Sequence, residues 1–310
     1  MGATTESIVA HGLAPIASAF CKARGETAPD ELQRLERVAT IANASAPLLL
    51  ERIRSSCEGP LLLFKGPEVA HLYPGSARGF GDIDLLTPRA EEVHRALCAA
   101  GFVEIRSEAP SGHHHLTALA WPSLPLSVEV HSRLNWPKEL PALGSSALFE
   151  SGVPAAAAGF TAPDALHHTL ILAVHGWQHH PLRVLRDLVD VAAMSVTLDQ
   201  TELRSQASRL GISRLWGTTE RAADALFYGG ARSLSLRTWA RSLEQVRQRS
   251  MLEIDLEAMI SGFWWMKPRV AAATAFSLAH RRLLARPDET ARGRALAALA
   301  WLRDANKPPR

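Results

Sequence analysis

The chain is poor in cysteine and has no long apolar run, and both features exclude whole classes of protein. Its three cysteines, Cys21, Cys57 and Cys98, lie far apart without a Cys-x-x-Cys pair, so neither a disulfide framework nor a cysteine-rich zinc site is expected. The apolar runs fall well short of the roughly 18 residues that a membrane-spanning helix needs. The N-terminal segment also lacks the basic and apolar regions of a secretory signal. We therefore expect a soluble, cytoplasmic protein without a membrane partner.

The sequence carries little net charge, but its basic residues are unevenly distributed. The formal charge of +3 is too small to indicate nucleic acid as a partner. Residues 232–310 nevertheless hold 15 lysines and arginines against 7 acidic residues. A basic region near an acidic site would suit a polyanionic substrate such as a nucleotide, and the same composition would equally suit a set of solvated helix faces.

Hydrophobic periodicity divides the chain into four segments. Residues 1–58 have helical spacing and are expected to pack on a sheet, which residues 59–136 would form from short strands and one helix. Residues 137–162 are rich in Pro, Gly, Ala and Ser and are interpreted as a connection that could carry a short helix. Residues 163–310 are helical throughout. The prediction is an α+β protein with N-terminal helices, a mixed sheet of four or five strands and an all-helical C-terminal domain.

Individual elements can be predicted within these segments. A helix over Asp30–Leu50 is predicted from its apolar spacing, and a second helix is predicted from Pro47 towards Cys57. The strands are predicted, in chain order, at Leu61–Lys65, Asp82–Thr87, Phe102–Arg106, His114–Ala120 and Leu126–Leu134.

Two of these strands carry acidic residues at alternating positions. Alternation puts Asp82 and Asp84 on one strand face, with Ile83 on the other, and it puts Glu129 and His131 together on a later strand. Neighbouring carboxylates on rigid strands repel each other unless a cation lies between them. The pattern therefore favours a Mg²⁺ site for phosphoryl or nucleotidyl transfer. Turn capping, pairing with arginine and solvation are the structural alternatives for these carboxylates.

Three basic residues near these strands are candidates for contacts with a substrate. Lys65 ends an apolar strand, where an ammonium group needs an anion, either a phosphate or one of the aspartates. Arg78 lies in a glycine-rich turn and could reach a phosphate or remain an exposed loop residue. His131 follows Glu129 on the same strand face, and the near-neutral pKa of histidine suits a general base.

Histidines recur at two further places in the sequence. His113–His115 opens a predicted strand and could line an acceptor pocket or play a structural role. His168, His175 and His179 form a stripe on the predicted helix that follows Asp164. A metalloprotease helix is not indicated, because a glycine follows His175 where such a site has glutamate.

A turn with glycine, an Asp-x-Asp strand and a later strand with a carboxylate occur here in that order. The residues concerned are the Lys65-Gly66 turn, Tyr73, Arg78, the Gly81–Leu86 run and the Val128–His131 run. Together they resemble the bacterial nucleotidyltransferase-like family of the DNA polymerase beta superfamily. The resemblance implies a Mg²⁺-dependent transfer of a nucleoside monophosphate from an NTP, with ATP as the expected co-substrate, to a hydroxyl of a small molecule, peptide or protein.

The resemblance also implies roles for individual residues. Asp82, Asp84 and Glu129 would bind the metal, and His131 would act on the acceptor beside them. The implied nucleotide contacts are Lys65, Gly66, Arg78 and Gly81, together with His175 and Asp187 from the helical domain.

Three alternative functions remain open at this point. A phosphotransferase could use the same metal site and would release a nucleoside diphosphate. A non-catalytic binding module is favoured by Pro67, since many members of the superfamily have Ser or Gly at this position for the triphosphate. An RNA-directed transferase would use the basic helical region. The sequence does not indicate an oligomeric state.

Overall fold

The structure is a computed structural model, and it describes most of the chain. The described residues are 3–105, 115–137, 140, 143–179, 182, 184–237, 251–283 and six positions between 290 and 300. The predictions for His113 and His114 lie outside these ranges, as does the helical prediction for residues 238–250 and 301–310.

A mixed sheet of seven strands forms the centre of the described structure. Its spatial order is β3-β4-β5-β2-β1-β7-β6. The pairs β2–β5 and β1–β7 are parallel, and the other neighbouring pairs are antiparallel. The strands are β1 Leu62–Phe64, β2 Asp82–Leu86, β3 Val103–Glu104, β4 Leu119–Ala120, β5 Ser127–His131, β6 Val153–Pro154 and β7 Thr161–Ala162.

The predicted α+β class is confirmed, but the sheet is larger than the expected four or five strands. The two additional strands, β6 and β7, come from residues 137–162, which the sequence indicated as a connection. Each of them spans two residues, too few for an alternating pattern to show in the sequence. The short helix expected in this segment is present as α6.

Helices, joined by turns and loops, surround the sheet. They are α1 Thr5–Ala10, α2 Ala14–Ala23, α3 Asp30–Ser56, α4 Gly66–Ala70, α5 Ala90–Ala99, α6 Ser145–Glu150, α7 Ala165–His179, α8 Leu185–Ser195, α9 Gln200–Arg209, α10 Ser213–Phe227, α11 Met251–Trp265 and α12 Pro268–Leu283. Within the described ranges, no helix combines the length and the apolar content needed to cross a bilayer.

The prediction of two helices around Pro47 is wrong, because α3 runs through this residue as one helix of 27 residues. Proline lacks the N–H of an interior helical bond and clashes with the preceding turn. A continuous buried stripe on both sides of Pro47, which includes Ala42, Leu49 and Ile53, packs against the sheet and offsets this cost.

The two faces of the sheet have different partners. Ile83, Leu85 and Val128 lie on one face and join the core formed with α3 and α5. Leu62 and Phe64 lie on the other face, in a smaller cluster with residues of α6 and α7. The cross-strand pair Phe64–Asp84 shares this second face. The helical half of the chain therefore covers the sheet face that carries the predicted carboxylates.

Candidate active site

The strand register brings three of the predicted site residues into direct contact. Asp84 on β2 lies opposite Glu129 on β5 in the parallel pair, and His131 follows two residues later. His131 Nε2 is 3.0 Å from Asp84 Oδ1 and 3.5 Å from Glu129 Oε2. One ligand atom from each of the three residues fits within 4.8 Å of the others. This group has the donor atoms and the spacing to hold a metal ion.

Charged neighbours and burial shift the pKa values of these three residues in opposite directions. Burial alone would raise the pKa of Asp84, but Lys65 and the hydrogen bond from His131 outweigh it and hold the pKa at about 2. The hydrogen bond from His131 also lowers the pKa of Glu129. Burial would lower the pKa of His131, and its two carboxylate partners raise it above the ordinary value. The contact therefore favours the ionised form of Asp84 and Glu129 and the protonated form of His131.

Asp82 lies at the beginning of β2, two cross-strand pairs before the Asp84–Glu129 pair. Burial raises the pKa of Asp82, and the negative charges of Asp84 and Glu129 raise it further. Such a shift is expected where several carboxylates converge. A cation between them would relieve this repulsion.

One oxygen of Asp84 is unsatisfied within the described part of the chain. Asp84 is 1% exposed, and its Oδ2 atom has no hydrogen-bond partner there. A buried carboxylate oxygen without a partner is costly and is rarely left in this state. Oxygen ligands of this kind are those that Mg²⁺ prefers. The residues present therefore fit a divalent cation.

The turn between β1 and α4 places Lys65 beside these carboxylates. Lys65 Nζ lies 2.9 Å from Asp84 Oδ1, so the structure shows the aspartate pairing that the sequence left open. Because Phe64 shares the face of Asp84, simple alternation would point Lys65 to the opposite face. The backbone of Lys65 instead has φ 65° and ψ −156°, and this conformation directs its side chain to Asp84.

Two neighbours fix the backbone of this turn. The N–H of Lys65 donates to Nε2 of His168 on α7 at 3.2 Å. His168 is buried, and burial lowers its pKa to about 4, so the imidazole is neutral and can accept this bond. Gly66 has φ 43°, and a Cβ atom here would lie 2.8 Å from the carbonyl oxygen of Asp82. Glycine is therefore required at this position.

Arg78 is buried in an ion pair and is not the exposed loop residue that one alternative allowed. Its Nη2 lies 2.8 Å from Asp190 Oδ2, and its Nε donates to Asp190 Oδ1 at 3.3 Å. The hydroxyl of Tyr73 donates to the same carboxylate at 2.7 Å. Sequence reasoning missed Asp190, although an acidic residue between the buried Leu188 and Val191 of α8 was a usable signal.

All ten predicted site residues line one cavity of about 510 Å³. The sheet forms one wall, and α7 and α8 form the other. The predicted residues are Lys65, Gly66, Arg78, Gly81, Asp82, Asp84, Glu129, His131, His175 and Asp187. His115, which the sequence allowed at an acceptor pocket, lines the same cavity, and Asn135, Arg186 and Asp190 are further polar neighbours. The ring of His115 lies 5.4 Å from that of His131. The structure thus brings the predicted residues together, and their individual roles stay predictions.

Another group of possible metal ligands lies at α5 and β3. His94, Cys98 and Glu104 offer three atoms within 4.8 Å. Burial raises the pKa of the Cys98 thiol, and the charge of Glu104 raises it further, so the protonated thiol is favoured over the thiolate that metals bind. We assign no function to this group.

Comparison with known proteins gives one match. A family model described as an uncharacterised nucleotidyltransferase matches residues 3–228, well over half of the chain. The matched region spans α1 to α10 and the whole sheet, and it therefore contains every residue that lines the cavity. No curated protein and no solved structure matches the chain.

Proposed function

The chain belongs to the uncharacterised nucleotidyltransferase family, and from this premise we propose that it transfers a nucleoside monophosphate from an NTP to a hydroxyl group. ATP is the first NTP to test. The acceptor oxygen would bond to the α-phosphorus, the bond from that phosphorus to the β-phosphate oxygen would break, and pyrophosphate would leave. The acceptor proton would pass to solvent. The observation that carries this proposal is the convergence of Asp84, Glu129 and His131 in the cavity, with Asp84 Oδ2 unsatisfied.

The carboxylates Asp82, Asp84 and Glu129 would hold Mg²⁺ in this site. Bound there, the ion would supply positive charge to the reacting phosphate and lower the pKa of the acceptor hydroxyl. His131 supports the ligands, because its Nε2 contacts both Asp84 and Glu129. A histidine of this kind fixes the orientation of metal-binding carboxylates. The role of His131 that we propose is therefore to orient these carboxylates.

The rest of the cavity suits a nucleotide and a small acceptor group. Its volume of about 510 Å³ is ordinary for a small-molecule site. Lys65 and Arg186 supply cationic groups at its wall, and Phe80 offers an apolar surface. The guanidinium of Arg78 makes two contacts with Asp190 and is 8% exposed, whereas Lys65 has one ion pair within the described residues, with Asp84, and is 14% exposed, so Lys65 is the better candidate for a phosphate contact. Catalysis would rest on positioning and electrostatic stabilisation, as in phosphoryl transfer generally.

Pro67 does not break the fold at this site. It occupies the first turn of α4, where the missing N–H of proline costs little. It does remove one backbone donor next to the cavity, so the side chain of Lys65 would take a larger share of phosphate binding. The experiments must therefore distinguish an active transferase from a nucleotidyltransferase-like module that has no catalytic activity.

Product analysis with two labels tests the proposal. The protein is incubated with Mg²⁺, a small-molecule extract and ATP labelled at either the α- or the γ-phosphate. Nucleotidyl transfer moves the α-label to a new product and releases pyrophosphate, whereas a phosphotransferase would move the γ-label and release ADP. Glu129→Gln should abolish the product, and Glu26→Gln, on the exposed surface, should leave it unchanged. A product that survives Glu129→Gln would contradict the proposal.

Binding must be separated from activity in the same protein. Titration with ATP and Mg²⁺ should show binding that Asp84→Asn weakens, with circular dichroism as the check on folding. Absence of nucleotide binding at millimolar concentrations would favour the non-catalytic alternative.

A further inference from the structure

We propose that the Lys65 ammonium competes with the divalent metal for Asp84 and turns to the nucleotide phosphates when it yields that carboxylate. The inference rests on the proposed function, because it concerns the same site and the same ligands. It adds a coupling between metal and nucleotide that the family match does not supply.

The backbone of Lys65 directs its side chain to Asp84. Lys65 has a positive φ of 65° and ψ −156°, a combination of backbone angles that residues other than glycine rarely adopt. This backbone turns the side chain onto the carboxylate face, against the alternation of β1. The presence of lysine in a backbone conformation that suits glycine indicates that its ammonium group has a function at this position.

The side chain of Lys65 can move while its backbone stays in place. The backbone N–H of Lys65 is held by His168, and the adjacent Gly66 fits closely against Asp82. The backbone of the turn is therefore fixed, and rearrangement is confined to the four methylenes of the lysine side chain. This side chain lines the cavity and is 14% exposed. The ammonium can therefore reach a ligand in the cavity while the turn stays in place.

The carboxylate of Asp84 would have to serve both the ammonium and the metal. Asp84 Oδ1 is shared by Lys65 Nζ at 2.9 Å and His131 Nε2 at 3.0 Å. A divalent cation bound to Asp84 would lie within a few ångströms of the ammonium, and like charges at this range repel strongly in a buried site. Even a cation bound to the unsatisfied Oδ2 would lie close to the ammonium on Oδ1, so each of the two charges weakens the binding of the other to Asp84. Phosphate oxygens of a nucleotide offer Lys65 a replacement partner in the same cavity.

This arrangement predicts positive coupling between metal and nucleotide. A nucleotide that attracts the ammonium would leave Asp84 to the metal, and a bound metal would leave the ammonium to the nucleotide. Coupling of this kind is reciprocal between the two ligands. A lysine that served only as a permanent structural partner of Asp84 would give no such effect.

The test measures Mn²⁺ binding to the full chain by electron paramagnetic resonance, alone and with a non-hydrolysable ATP analogue. Lys65→Met should bind Mn²⁺ alone about tenfold more tightly than the parent, a difference of about 1.4 kcal/mol. The analogue should enhance Mn²⁺ binding less in this variant than in the parent. Lys22→Met removes a lysine that is paired with Glu36 on the surface, and it should behave like the parent.

A second variant protects the test against a folding defect. Lys65→Gly removes the ammonium and suits the positive φ, so it should fold and bind Mn²⁺ as Lys65→Met does. Mn²⁺ binding that is unchanged or weaker in both variants would overturn the inference, as would an undiminished enhancement by the analogue. Either result would leave the proposed function standing. Absence of Mn²⁺ binding in the parent and in all variants would instead refute the proposed function.

Discussion

Replacing Asp190 by alanine should destabilise the protein strongly, because two buried groups depend on this carboxylate. Arg78 is 8% exposed and makes two contacts with Asp190, and the Tyr73 hydroxyl donates to the same group. Without Asp190 the guanidinium keeps its charge, since arginine does not lose its proton in proteins. It also keeps a bond to the carbonyl of Gly79, which does not neutralise it.

The size of the loss can be derived from these contacts. Removing one partner of a buried ion pair costs about 3–5 kcal/mol, because the other charge stays buried and uncompensated. The unsatisfied hydroxyl of Tyr73 adds about 1–3 kcal/mol if no water reaches it. We therefore expect Asp190→Ala to lower the free energy of unfolding by at least about 3 kcal/mol, a large part of the stability of an ordinary domain.

Urea denaturation followed by circular dichroism measures this loss. Glu202→Ala is the matched control, because it removes an exposed pair with Arg209 and should cost less than about 1 kcal/mol. Arg78→Ala and the double variant complete a cycle that isolates the coupling between the two residues. If Asp190→Ala costs no more than Glu202→Ala, or if the two losses simply add, the pair does not hold this part of the fold.

Three other positions allow direct tests of stability. Burial lowers the pKa of His168 to about 4 from 6.5, so the unfolded chain binds a proton first as the pH falls. The free energy of unfolding should therefore be highest above pH 6.5 and should fall by up to about 3 kcal/mol as the pH approaches 4. His168→Gln should flatten this part of the curve of unfolding free energy against pH. Equal slopes in the parent and the variant would contradict the lowered pKa of His168. Gly66→Ala should lower the urea midpoint more than Gly75→Ala, since both glycines have positive φ but only Gly66 faces a backbone oxygen at 2.8 Å. Pro47 is exposed in the middle of α3, so Pro47→Ala should raise the free energy of unfolding by up to about 3 kcal/mol. A lower melting temperature in this variant would contradict the prediction that Pro47 destabilises the helix.

Strand periodicity allowed the carboxylates of the site to be predicted. Successive side chains of a strand alternate between its two faces, and burial of one face fixes which residues lie there. It placed Asp82 with Asp84 and Glu129 with His131 before any pairing of strands was known. The structure adds the parallel register that sets Asp84 opposite Glu129. Register between distant strands depends on the packing of the whole sheet, and a single sequence does not carry it.

Other features could not be predicted because their cause lies outside the local sequence. The short strands β6 and β7 form because the edge of β1 is open to them, and nothing in residues 137–162 signals this. Pro47 remains inside α3 because tertiary packing offsets an unfavourable local preference. The positive φ of Lys65 depends on His168, about a hundred residues further along the chain. In each case a distant contact determines the local conformation.

The helical half of the chain is part of the candidate site as well as a cover for it. Helix α7 supplies the imidazole that holds the Lys65 turn, and α8 supplies the carboxylate that holds Arg78. These two helices also pack closely on each other, so they present both groups to the sheet as one rigid wall. The sheet alone would keep the carboxylates of β2 and β5, but it would lack the two groups from these helices that position Lys65 and Arg78. The family model likewise continues past the sheet to residue 228 and includes both helices.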